Sequence, residues 1–189
     1  MRIILTRHGE TEENILDIVQ GHLPGKLTKL GIEQAKKLAE RLKDEKIDYI
    51  YSSDLARSVK TTEEIIKYHP NVKVEFVEQL RERNAGRATG FKFSEINLND
   101  ASYDAESVEK IYRRARDFFL EILAKHSKET VLVVGHAGIN KFIRMAICSD
   151  DPTDFKTISK QSNTAVSIFE VNEDGQHNIH IENCSKHLQ

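Results

Sequence analysis

Arg2-Ile3-Ile4-Leu5-Thr6-Arg7-His8-Gly9-Glu10-Thr11 changes character at its middle. Arg2 to Leu5 is a short apolar run of strand character, and the residues after Leu5 are polar and turn-like. Arg7 and His8 thus stand where a buried strand ends and the chain turns. In open α/β sheets the ligand crevice lies outside the carboxyl ends of the strands. A guanidinium fork, a titratable imidazole and Gly9, which admits a close backbone approach, suit a phosphate there.

Two later segments repeat the arrangement. Ile47 to Tyr51 reads as a strand, and Ser52-Ser53-Asp54 offers N-cap oxygens for a helix running to about Tyr68. Arg57 falls in the first turn of that helix, where a cation opposes the dipole unless an anion lies nearby. Thr130 to Val134 is a near-continuous apolar run, as expected of a parallel strand covered on both faces. It ends in Gly135-His136-Ala137-Gly138, and a helix from Ile139 to Cys148 follows. Three strand ends therefore deliver Arg7 with His8, Arg57, and His136.

The rest of the chain completes an α/β pattern. Glu12 to Val19 reads as a short helix and Gln20-Gly21-His22-Leu23-Pro24-Gly25 as a loop. Thr28 is the expected N-cap of a helix with Ala35, Leu38, Ala39 and Leu42 at i, i+3, i+4 and i+7. Val72 to Val77 alternates like an edge strand, and Leu80 to Gly90 is a loop rich in charge. Ser107 to Lys125 is the longest amphipathic helix. Ala165 to Val171 and His177 to Asn183 flank Asp174-Gly175, a hairpin signal. The expected fold is α/β: a mostly parallel central sheet flanked by helices on both faces, with a C-terminal antiparallel hairpin, in a single domain over residues 1–189.

Composition narrows the partners. Of 189 residues 31% are charged, yet the formal net charge is only −2, so no basic field points to nucleic acid. No apolar run approaches the ~20 residues of a membrane span. The opening residues lack a charged-then-apolar leader pattern. Two cysteines make no disulfide framework. The expectation is a cytoplasmic protein with no nucleic-acid or membrane partner; monomer and homodimer both stay open. His177, His180, Cys184 and His187 are zinc-ligand types. Because His177 and His180 are three apart in an expected strand, they face opposite sides, and no metal is assigned.

Taken in order, these segments resemble the histidine phosphatase superfamily, the phosphoglycerate mutase-like proteins. Leu5-Thr6-Arg7-His8-Gly9-Glu10-Thr11, with Asn14 and Gln20-Gly21 behind it, looks like that family's signature. Ser52-Ser53-Asp54-Leu55-Ala56-Arg57 resembles its second motif, Leu80-Arg81-Glu82-Arg83-Asn84-Ala85-Gly86 the motif carrying its acid, and Gly135-His136-Ala137-Gly138 its last. The similarity spans residues 1 to about 170. It implies a phosphoglycerate mutase-like fold with His8 as a nucleophile that forms a phosphohistidine. Arg7 and Arg57, with His136 protonated or as a donor, would clamp the phosphate. Glu82 would serve as general acid and then base, and Gly9, Asn14, Gln20 and Gly21 as secondary phosphate contacts, with no cofactor and no metal. The chemistry is coherent: a neutral imidazole attacks without prior deprotonation, and fixed cations offset repulsion between nucleophile and anionic phosphate.

The implied activity is hydrolysis of a small phosphomonoester. Family mutases carry a long insertion after the acid motif, whereas only Phe91 to Glu106 is available here for excluding water. A non-catalytic phospholigand-binding regulator would not need both His8 and Glu82. The chain departs from the family pattern at two loops. Pro24 and Lys26 stand where relatives have an acid and a proline, and Gly86-Arg87-Ala88-Thr89-Gly90 replaces an acidic, tryptophan-bearing loop. Lys26, Arg83 and Arg87 are therefore expected at the rim, reading a second anionic group.

Overall fold

β1 (Arg2–Arg7) is covered on both sides, because alternating side chains send Ile3 and Leu5 to one face of the sheet and Ile4 to the other. The computed structural model describes residues 1–148, 158–172 and 174–189. After β1 come α1 (Glu12–Ile15), α2 (Lys29–Leu42), β2 (Tyr49–Ser53), α3 (Ala56–Ile66), β3 (Lys73–Val77), α4 (Val108–Lys125), β4 (Thr130–Gly135), α5 (Ala137–Cys148), β5 (Val166–Val171) and β6 (His177–Cys184). Ile3 and Leu5 pack with Tyr51, Val131, Val133 and Phe169 against Ile111, Phe118 and Ile122 of α4 and Ile139 and Ile143 of α5. Ile4 packs with Ile50, Leu132, Val134 and Ile168 against Leu38 and Leu42 of α2 and Ile65 of α3. Each such fully buried side chain contributes about 1.5–3 kcal/mol. A charge in place of Ile4 would therefore open the second layer.

The six strands run in the order β3-β2-β4-β1-β5-β6. β3, β2, β4 and β1 are parallel, while β5 pairs antiparallel with β1 and β6 antiparallel with β5. The central sheet is thus mostly parallel, as the sequence pattern predicts. The C-terminal hairpin is more than an appendage, since β5 is buried along most of its length and forms the second neighbour of β1. Register sets the level at which the strands end. Arg7 lies opposite Gly135 and Ser52 opposite Val134, so β2, β4 and β1 stop together in three adjacent positions. Ser53, His136 and His8 emerge side by side.

Several boundaries differ from the sequence pattern for identifiable reasons. The first helix stops at Ile15 rather than Val19, because Asp17 takes a left-handed φ of 55° and the following chain zips onto residues 90–93. Val19 donates to Phe91 O, Gly90 to Val19 O and Phe93 to Asp17 O. α3 ends at Ile66, short of Tyr68, and no side chain caps its start. The oxygens expected to do so are engaged elsewhere: Asp54 accepts a forked bond from Arg81 at 2.8 and 2.5 Å, and Ser53 Oγ faces His136. α5 begins at Ala137, two residues before the expected start, which brings Gly138 into its first turn. Residues 91–106 form short turns of 3-10 helix rather than a featureless loop.

Candidate active site

The imidazole of His8 is almost wholly buried, and its Nδ1 lies 2.7 Å from Gly9 O. A carbonyl only accepts, so Nδ1 carries the proton and Nε2 keeps its lone pair. Burial, reinforced by the charges of Arg7 and Arg57, holds the ring well below its usual pKa of 6.5, so it stays neutral. The strand end thus presents a neutral imidazole whose Nε2 lone pair is not protonated. Gly9 has a different duty from the expected one. Its N–H donates to Thr61 Oγ1, and a Cβ on it would lie 2.3 Å from Gly31 O. Gly9 packs α2 against the strand end and does not line the cavity.

Arg7 lines the cavity and donates through Nη1 to Gln161 O at 3.0 Å. Its Nε is buried without a partner. Arg57 also lines the cavity, but much of its fork is engaged. Nη1 donates to Leu23 O at 2.5 Å, Nη2 to Gly21 O at 3.0 Å and Nε to His136 Nδ1 at 3.0 Å. Burial pulls Arg57 down to about 10, which still leaves it charged at neutral pH. The helix-start cation therefore organises the Gly21–Pro24 turn as well as facing the cavity.

His136 corrects the sequence expectation. It is fully buried, and its ring lies behind that of His8 at 5.1 Å between centroids, outside the cavity lining. Its Nδ1 accepts from Arg57, so Nε2–H donates to Ser53 Oγ at 2.8 Å. Burial and the Arg57 charge keep it neutral, well below 6.5. Of the two expected forms, protonated or neutral donor, the buried ring takes the neutral one, and it meets Arg57 as an acceptor.

Glu82 reaches the cavity from the charged loop. Its carboxylate accepts from Gly138 N at 3.0 Å, Ile139 N at 3.1 Å and Arg83 N at 2.9 Å, which seats it on the first turn of α5. Gly138 is the residue that permits this, since a Cβ there would lie 2.2 Å from Glu82 Oε1.

Asn14, Gln20 and Gly21 line the cavity. Asn14 Oδ1 accepts from Asn163 Nδ2, which also donates to His8 O. Arg83 lines it too, but its guanidinium braces the wall, donating to Glu106 O, Leu98 O and Asn99 Oδ1. The rim expectation fails for the other two cations. Arg87 is exposed and outside the lining, and Lys26 pairs with Glu12 with its side chain 77% exposed. The lysines that line the cavity are Lys141 on α5 and Lys160 before β5. Burial lowers the pKa of both, with Arg7 a further cause at Lys160.

Sequence reasoning also missed the support beneath Arg7. Gln161 is fully buried; its amide donates to Leu5 O and Ala165 O and accepts from Asn140 Nδ2, which also donates to Thr6 O. No spacing rule marks these residues. The one available signal was that polar side chains stood next to a predicted buried strand. The tail residues considered for metal lie apart from the cavity lining: His180 sits 2.9 Å from Glu170, and the last turn packs on α2.

A family model described as the histidine phosphatase superfamily (branch 1) matches residues 3–183. The chain is 32% identical to a phosphoglycerate mutase-like protein 4 of Arabidopsis thaliana, over 99% of this chain and 86% of the relative. It is also 32% identical to a metal-independent phosphoserine phosphatase of the same plant, over 88% and 74%. A phosphoserine phosphatase from Entamoeba histolytica, solved in complex with phosphoserine, superposes with a TM-score of 0.86 at 25% identity, covering 100% of this chain and 99% of that one.

Proposed function

The chain belongs to the histidine phosphatase superfamily, and from that premise we propose that it is a phosphatase that hydrolyses a small anionic phosphomonoester through a phosphohistidine on His8. The observation that carries this reading is the bare, neutral Nε2 of His8 beside two buried arginines. In the first step Nε2 attacks phosphorus, the N–P bond forms, the ester P–O bond breaks, and Glu82 gives its proton to the leaving alkoxide. In the second step water attacks phosphorus and returns its proton to Glu82, the P–N bond breaks, and inorganic phosphate leaves. Arg7 and Arg57 hold the non-bridging oxygens and offset charge repulsion throughout. Relatives named as phosphoserine phosphatases support hydrolysis of an ester carrying a second anionic group. Lys160 and Lys141, rather than Lys26 and Arg87, are the cations placed to read it.

Rapid acid quench with a 32P-labelled substrate tests the mechanism. Label is expected on wild-type protein in an acid-labile form and absent from His8→Ala. Label retained by the variant at the wild-type level overturns the assignment. EDTA is expected to leave turnover unchanged.

A further inference from the structure

Away from the phosphate end, the cavity changes character. Its volume of about 460 Å³ falls within the ~300–1,000 Å³ of sites that enclose drug-sized ligands. Ile18, Phe93, Leu98, Val108 and Phe142 form its outer walls, with Val19 and Ala85 beneath them. A three-carbon skeleton such as serine or glycerate would leave these walls mostly untouched. The polar groups there are few. Arg83 and Asn99 bond to one another as part of the wall, and Lys160 lies over the Phe93 ring at 5.6 Å.

These walls are preformed. Val19, Ala85 and Ala88 form a small core of their own, with Ile96, Leu98 and Tyr103 packed on it, so the 91–103 segment rests on apolar contacts. Ile18 bridges to Lys92, which fixes the first loop to the second. On the same joined segments Ile15, Leu16, Phe91 and Phe93 are left exposed, between 45% and 64%. Of these Phe93 also lines the cavity, and exposed apolar side chains clustered on segments joined beside a cavity mark a binding surface.

Building on the phosphatase reading above, we infer that the substrate's alcohol half is an apolar, ring-sized body. The phosphoryl group sits at His8, the body lies between Phe93, Leu98, Val108 and Phe142, and the ammonium groups of Lys141 and Lys160 face its edge. The preference follows from desolvation. An apolar body set against Ile18, Leu98 and Val108 gains its transfer free energy, whereas a polar group placed against those side chains gives up water without gaining a partner there.

The test compares two alkyl esters with similar leaving groups, ethyl phosphate and 2-phenylethyl phosphate, with p-nitrophenyl phosphate as the activity control. The phenylethyl ester is expected to have at least tenfold the kcat/KM of the ethyl ester. Leu98→Asn and Phe93→Ser, both on the surface loop, are expected to shrink that ratio several-fold. 2-Phenylethylphosphonate should likewise inhibit at a concentration at least tenfold below ethylphosphonate. Turnover of both esters with equal or reversed preference, or a ratio unmoved by either variant, overturns the inference and leaves the phosphatase reading standing. Release of phosphate from none of the three esters overturns that reading, and the inference with it.

Discussion

The two ends of the cavity are built in opposite ways. At the phosphate end each group is fixed by backbone or by another buried side chain: His8 by Gly9 O, Arg7 by Gln161 O, Arg57 by His136, and Glu82 by three amides of its own turn and α5. At the other end the walls come partly from short turns, with Val108 and Phe142 added from α4 and α5, and Lys160 makes its contact through a ring face. The first end supplies preorganised charge for a developing transition state. The second supplies shape, which costs little to alter. Substitutions at the phosphate end should therefore affect every substrate, and those at the other end only some.

Four measurements probe that contrast, in decreasing order of effect. His8→Ala should lower turnover of all substrates by more than about 10⁴-fold, because no other group takes the phosphoryl. A substrate that escapes this loss would contradict a common nucleophile.

Glu82→Gln should cost about 10²–10⁴-fold for alkyl phosphates and much less for an activated aryl phosphate, whose leaving group needs little protonation. Gly138→Ala should mimic it without unfolding the protein, since its Cβ displaces the carboxylate end of Glu82. A Gly138→Ala enzyme with wild-type alkyl-phosphatase activity would show that the helix seat of Glu82 is dispensable.

The third measurement is stability against pH. His8 and His136 are held neutral below their ordinary 6.5, so under acid the unfolded chain binds protons that the folded one refuses. Stability is fully present above about pH 6.5 and falls as pH drops below it, by about 1.4 kcal/mol per unit for each histidine. Urea titrations at pH 7, 6 and 5 should show this, with the slope roughly halved in His136→Asn. A slope unchanged by that substitution would place the lost stability elsewhere.

The smallest effect belongs to the mouth. Lys160→Gln should lower kcat/KM several-fold for a phosphate ester bearing a carboxylate and leave a neutral sugar phosphate within twofold, with the difference fading at high salt. Arg87→Ala should change neither, because its side chain stands outside the cavity. Equal losses on both substrates would move Lys160 to the phosphate end.

The same division explains how much could be read from the chain alone. Arg7, His8 and Arg57 could be read because three apolar runs ending in turns fixed the parallel layers and where those side chains emerge, whereas Glu82, on a loop without periodicity, was legible only through the resemblance of its motif. His136 was found, but its protonation was not, because that depends on burial and on Arg57 reaching it from another element. Arg87 and Lys26 were misplaced because a turn's direction is set by what it packs on, here Val19, Ala85 and Ala88 for the second loop. Gln161, Asn140 and Asn163 carried little signal, since each matters chiefly through partners 21 to 156 positions away.

The position of β1 between β4 and β5 also sets an order of events. β1 is synthesised well before its partners β4 and β5, and the carbonyl that steadies Arg7 lies 154 residues later. Closing so large a loop carries its entropic cost before any contact repays it. At ordinary synthesis rates, Ile3, Ile4 and Leu5 wait unpaired for on the order of ten seconds. Until then nascent chains carry the family's signature residues but no assembled cavity, and their exposed apolar run is prone to aggregate.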